Sequence, residues 1–135
     1  MTKAEQAALL RQKGVCPTPM RLAVYGFVCE HPIHPTADAV FCALQPEHPS
    51  LSRMTVYNTL HLLAEAGLLC ALPIEPTVLH YDAQVQPHGH FRCEKCGAIL
   101  DFALPELPTA AELPAGCRPS RCDVFYSGLC AKCSE

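Results

Sequence analysis

The sequence predicts an α+β chain with a helical N-terminal domain and a small strand-rich C-terminal domain, and three observations lead there. Helix caps alternate with three- and four-residue apolar spacing from Lys3 to Gly67. Two short apolar segments separated by Pro73-Ile74-Glu75-Pro76-Thr77 follow. Beyond Pro87 come short strand-like segments with two Cys-x-x-C pairs.

The first helix is expected over Lys3–Lys13, with Ala7, Ala8 and Leu10 apolar and Gly14 just past its C-cap. Thr18 before Pro19 reads as an N-cap and first helical residue, and Leu22, Tyr25, Val28 and Cys29 recur along the second helix. His-Pro pairs at 31–32 and 34–35 break that helix. Thr36 then caps a short third one carrying Val40, Phe41 and Leu44 inward. Ser50 or Ser52 caps a fourth, running to about Ala66, with Val56, Leu60 and Leu63 on one face and Gly67 as its stop. Its other face presents Arg53, Tyr57, Asn58, His61 and Glu65. Leu68–Leu72 and Val78–Asp82 read as a hairpin with a proline-stiffened tip.

Helices followed by a hairpin in this order make a winged helix-turn-helix, here over residues 1–82, a DNA-binding domain whose last helix enters the major groove. On that helix Tyr57 and Asn58 suit base edges, with Ser52, Arg53 and Thr55 near phosphates. Arg21 reads as a buttress of the domain or a phosphate contact. Residues 83–87 read as a hinge. The second domain, 88–135, is expected to be a small α/β unit with strands at His88–Cys93, Ala98–Phe102 and Cys122–Tyr126. Pro105, Pro108 and Pro114 leave room for one or two helical turns between the last two strands.

Of the 135 residues 50% are apolar, 17% are charged, and the net charge is −3. No apolar run is long enough to span a bilayer and Met1–Gln6 is not a secretory signal, so a soluble, cytoplasmic protein without membrane partners is expected. In that setting the ten cysteines are thiols or metal ligands rather than a disulfide scaffold. Slight acidity excludes a partner held by bulk positive charge; nucleic acid has to be met by a local surface.

Cys93-Glu94-Lys95-Cys96 and Cys130-Ala131-Lys132-Cys133 have the spacing of two metal knuckles, which together close a tetrahedral four-cysteine zinc site. The competing reading is two unrelated thiol pairs or one redox disulfide. The 33 residues between the knuckles require an intervening strand and loop to fold back. His88-Gly89-His90 places two imidazoles on one face of a strand. Asp82, Asp101 and His34 are further candidates, and three nitrogens with two carboxylates suit Fe(II), Mn(II) or Zn(II), but spacing alone does not bring the five together; the competing reading is two exposed or buried histidines. His80 shares a strand face with Asp82 and is the reserve ligand; His31 and His48 read as bland. Cys29, Cys42 and Cys70 occupy apolar positions, and Cys16, Cys117 and Cys122 are the candidates for thiol redox chemistry.

His34-Pro35-Thr36-Ala37-Asp38, Thr55-Val56-Tyr57-Asn58-Thr59-Leu60, Glu65-Ala66-Gly67-Leu68 and His88-Gly89-His90-Phe91-Arg92-Cys93-Glu94-Lys95-Cys96-Gly97 resemble successive signatures of the ferric-uptake-regulator (Fur) family of metal-dependent repressors. The resemblance spans residues 6 to 133 and is nearest to the peroxide-sensing PerR branch. It implies structural zinc on Cys93, Cys96, Cys130 and Cys133, and a regulatory Fe(II) or Mn(II) on His34, Asp82, His88, His90 and Asp101. It further implies a homodimer on a double-stranded DNA operator, released when hydrogen peroxide oxidises a ligand histidine, His34 or His88.

The sequence departs from the family in three places. Where many members hold another metal it has Pro87, Gly89 and Cys122, so that site is absent or rebuilt around Cys122 and Cys117. Cys16 stands where relatives carry a minor-groove cation, a role open to Lys13 or Arg11. The segment 103–121 is short and proline-rich where relatives have a dimerisation helix. The alternatives are an iron- or zinc-uptake regulator of the same family and, from another class, a small zinc enzyme of deaminase or hydrolase type. The enzyme wants an open metal position beside a Glu, as in H-x-E or H-E-x-x-H, and the sequence has neither.

Overall fold

The structure, a computed structural model, describes residues 1–86, 88–104, 113–119 and 122–135. It divides into two compact units, Met1–Val85 and Gln86–Glu135.

In the first unit α1 (Lys3–Gln12), α2 (Pro19–Glu30), α3 (Ala37–Leu44) and α4 (Arg53–Glu65) precede a hairpin of β1 (Cys70–Leu72) and β2 (His80–Asp82). Local chemistry sets each helix end. Thr18, Thr36 and Ser52 accept hydrogen bonds from the amides of Arg21, Ala39 and Thr55, satisfying N–H groups the helix itself leaves unpaired. Ser52, rather than Ser50, is thus the cap of α4. Gly14 and Gly67 leave α1 and α4 at φ +76° and +80°, a conformation that penalises any Cβ. The helices close on Leu10, Val24, Val28, Val40, Val56, Leu60 and Leu63, all but sealed from solvent.

Three expectations change in this unit. Ala8 is exposed and the polar Gln6 is buried instead; its amide occupies the room left by Gly26 on α2, where an added Cβ would sit 3.2 Å from Gln6 Oε1. Cys42 is exposed, because the eight residues of α3 turn Ala37 and Val40 into the core with Phe41 and Leu44 beside them, leaving Cys42 on the outer face. The hairpin is also shorter than expected. Leu68 and Leu69 belong to the core ahead of β1, and Val78 and Leu79 are exposed before β2 begins.

The second unit is a sheet in the order β4-β3-β5, with β3 (His88–Cys93) central, β4 (Ile99–Ala103) antiparallel to it and β5 (Val124–Gly128) parallel. β4 and β5 start one and two residues later than expected. The helical turns anticipated around Pro105 and Pro108 lie outside the described residues.

Candidate metal centres and nucleic-acid interface

Register explains how 33 intervening residues return one cysteine knuckle to the other. β3 and β5 run side by side in parallel with Cys93 opposite Gly128, so both chains leave the same end of the sheet. The first knuckle turns tightly, Gly97 donating to the Cys93 carbonyl at 3.0 Å; the second closes through Cys133 donating to the Cys130 carbonyl at 3.0 Å. The four sulfurs lie within 4.8 Å of one another. A tetrahedron with Zn–S bonds of about 2.3 Å has S···S edges of about 3.8 Å, and Cys96 Sγ lies 3.8 Å from Cys130 Sγ.

Backbone N–H groups of Cys96 and Cys130 point at Cys93 Sγ, at 3.5 and 3.4 Å. They favour the thiolate and hold the Cys93 thiol down at about 6. The Cys133 amide lowers Cys130 in the same way. The Cys133 thiol, hydrogen-bonded to the Cys130 sulfur, is pushed up to about 12. Cys93 and Cys130 are thus disposed to ionise, and the four-sulfur donor set fits structural zinc.

The regulatory candidates form two groups, one in each unit. In the first, His34 has φ +57°, the left-handed region that side chains seldom adopt. Strand β2 holds it there. His80 Nδ1 donates to the His34 carbonyl at 2.6 Å, and the Tyr81 amide to the Pro35 carbonyl at 2.9 Å. The strained turn brings His34 Nε2 to 3.5 Å from Asp82 Oδ2, with the two residues only 4% and 6% exposed. The Gln84 amide takes the other Asp82 oxygen at 2.9 Å, which orients the carboxylate. His80, the reserve ligand, also meets Glu75 Oε2 at 2.5 Å through Nε2, so both its ring nitrogens are engaged in holding the turn.

In the second unit, cross-strand register sets His90 opposite Asp101, with Nδ1 2.8 Å from Oδ1. His88 donates from Nδ1 to the Gln86 carbonyl at 2.7 Å, and its ring meets that of His90 edge-on at 4.3 Å. A neutral His88 then carries its lone pair on Nε2, the arrangement of a metal-ligating histidine. Between them Gly89 leaves room for the Phe102 ring: a Cβ there would lie within 2.7 Å of three of its atoms. An acidic side chain at this position does not fit without moving that ring. Cys117 and Cys122 are exposed, and neither belongs to a cluster of three or more metal-binding side chains among the described residues. Imidazole nitrogens with carboxylate oxygens suit Fe(II) or Mn(II) better than a soft ion.

On α4, Tyr57, Asn58 and His61 are exposed on one face, and His61 Nε2 reaches Glu65 Oε1 at 3.1 Å. With Thr77, Val78 and Leu79 of the wing, the first three line a cleft of about 430 Å³. Met54 also lies exposed on this face and escaped the sequence reading; its helical spacing to Tyr57 and Asn58 was the available signal. Ser52 and Thr55 bond to each other at 2.8 Å as part of the cap. The Arg53 guanidinium pairs with Asp38 and lies 4.6 Å from the centre of the Phe41 ring. Arg21 donates to the Cys16 carbonyl at 3.0 Å, a buttress. No helix among the described residues is long and apolar enough to cross a membrane.

Residues 12–118 match the Ferric uptake regulator family. The chain is 34% identical over 131 residues to the peroxide-responsive repressor PerR of Staphylococcus saprophyticus, covering 93% of this chain and 87% of that protein. It is similar to a solved peroxide stress regulator of Campylobacter jejuni, with TM-score 0.70 and 27% identity over 98% of this chain and 99% of that one. PerR from Streptococcus pyogenes gives TM-score 0.56 at 29% identity over 97% of this chain and 92% of that one. Two cysteine knuckles, two His–Asp pairs and a winged helix thus occur in a chain that belongs to the ferric uptake regulator (Fur) family of metal-dependent DNA-binding repressors.

Proposed function

We propose that this protein is a cytoplasmic peroxide-sensing repressor and not an enzyme: a homodimer that holds operator DNA while Fe(II) or Mn(II) is bound and releases it after peroxide oxidises a ligand histidine. One observation carries the reading. Each unit holds a His–carboxylate pair set by its own backbone, His34 with Asp82 and His90 with Asp101, in a chain 34% identical to a peroxide-responsive repressor. We infer from the family resemblance that these four and His88 are the five ligands of the regulatory metal.

Ligands drawn from both units make metal affinity and DNA affinity reciprocal, because each event favours the same arrangement of the domains. Such coupling is typically worth about 1–3 kcal/mol, or roughly 5- to 150-fold in affinity. Iron, when bound, supplies the electron that activates peroxide beside the imidazoles. The remaining work belongs to the protein. His34 is held at its strained turn by β2, Asp82 is aimed by the Gln84 amide, and His88 keeps Nε2 as its donor. Oxygen added to an imidazole of His34 or His88 changes that donor and weakens the set, so metal and then DNA are lost. The four-cysteine zinc keeps the second unit folded throughout.

The test is fluorescence anisotropy on operator DNA with zinc-loaded protein. Fe(II) and Mn(II) should each support binding, and micromolar peroxide should abolish it for the iron form alone. DNA binding activated by zinc at the second site and indifferent to peroxide would refute the proposal.

A further inference from the structure

Met54 is an exposed residue that neither the core nor the metal centres use. It stands at the second position of α4, 66% exposed, and shares one helical stripe with Tyr57, Asn58 and His61, three, four and seven residues on. None of the four is Lys or Arg. The one such residue in α4, Arg53, is paired with Asp38 and lies over Phe41. In the major groove guanine is read by Arg or Lys through O6 and N7, adenine by Asn through N6 and N7, and thymine by apolar contact with its C5 methyl. In helix-turn-helix docking the N-terminal residues of the reading helix reach the base edges, and Met54 lies there. Its thioether chain is flexible and polarisable, able to fit a methyl group without a fixed rotamer.

We propose that Met54 is a specificity-determining residue of the DNA-reading helix: with Tyr57 it packs on thymine C5 methyl groups in the major groove, beside the base edge read by Asn58. The proposal rests on the repressor reading above and adds which atoms of the operator this chain selects.

The test begins with selection of binding sites from random duplex DNA by the Mn(II)-loaded protein. Each thymine of the selected half-site is then replaced in turn by deoxyuridine, which lacks only the methyl group. The wild-type protein should lose about 3- to 10-fold in affinity at one or two thymines. Met54→Ala should no longer distinguish thymine from uracil at one of these positions while still discriminating elsewhere, and Met54→Leu should keep the discrimination. A wild-type protein indifferent to uracil throughout, or a Met54→Ala protein that discriminates as before, would overturn the proposal. So would a Met54→Ala protein with unchanged base preference but a smaller assembly in solution, which would mark the face as a protein contact. Failure to select any DNA with any metal would overturn the repressor reading as well, a different and separately visible result.

Discussion

Gly89→Ala isolates one steric contact that positions the second unit's histidines. The new methyl carbon would lie within 2.7 Å of three Phe102 ring atoms, where ordinary contact is 3.4–4 Å. The ring must therefore retreat by about 1 Å or more. That disturbs its packing against Tyr126, 5.8 Å away between centroids. It also strains the ladder, because Gly89 and Phe102 are direct cross-strand partners between His88 and His90. Overpacking of this kind costs about 1–3 kcal/mol, and for a unit this small each kcal/mol lowers Tm by about 4–8 °C. Thermal unfolding of the zinc-loaded protein, followed by circular dichroism, measures the effect. The control is Phe102→Ala, in which the ring is gone. In that background Gly89→Ala should be neutral or stabilising by about 0.4–1 kcal/mol, the usual gain from a less flexible unfolded chain. Equal losses in both backgrounds, or no loss in the parent, would refute the argument that Phe102 excludes a side chain at 89.

Other outcomes follow from the same geometry. Chelation of zinc, or Cys93→Ser, should unfold the second unit, since such sites supply about 10–16 kcal/mol in small zinc peptides; amide exchange along β3 and β5 would show it, and retained protection would contradict it. Zinc held by the folded, reduced protein should be lost as pH falls through about 6. The Cys93 thiol is lowered to that value from 9.0, chiefly by the Cys96 amide; its stabilising thiolate is complete above the unfolded pKa and lost as pH falls through the folded one. A competitive zinc-chromophore titration would report the midpoint. Ser52→Ala should cost about 1 kcal/mol in urea unfolding by removing the cap of α4, while Ser52→Asp should retain most of the stability. Equal losses would show that the hydroxyl acts elsewhere.

What could be read from the sequence was what is local. Thr18, Thr36, Ser52, Gly14 and Gly67 act within one turn of where they stand, so helix starts and stops were legible. The Cys-x-x-C knuckles are local for the same reason. Asp101 was legible as a ligand candidate from the chemistry of its residue type and from resemblance, whereas its pairing with His90 depends on the cross-strand register of β3 and β4. The parallel pairing of β3 with β5, which returns the second knuckle to the first, is a contact between distant segments that no short pattern encodes. The burial of Gln6 and the exposure of Cys42 were not legible because α1 and α3 are short, and neighbouring elements decide which side of a short helix is inside. The positive φ of His34 was equally hidden. It is imposed by His80 and Tyr81, 46 residues further along the chain.

Ligand histidines that sense peroxide are the centre of the proposed mechanism. Mass spectrometry of the iron-loaded protein after mild peroxide, read peptide by peptide beside a DNA-binding assay on the same sample, tests it most directly. The peptide bearing His34 or His88 should gain one oxygen, in step with loss of DNA binding, and should gain none in the Mn(II) form. Bound iron with unmodified histidines, and DNA binding that follows metal supply alone, would contradict it.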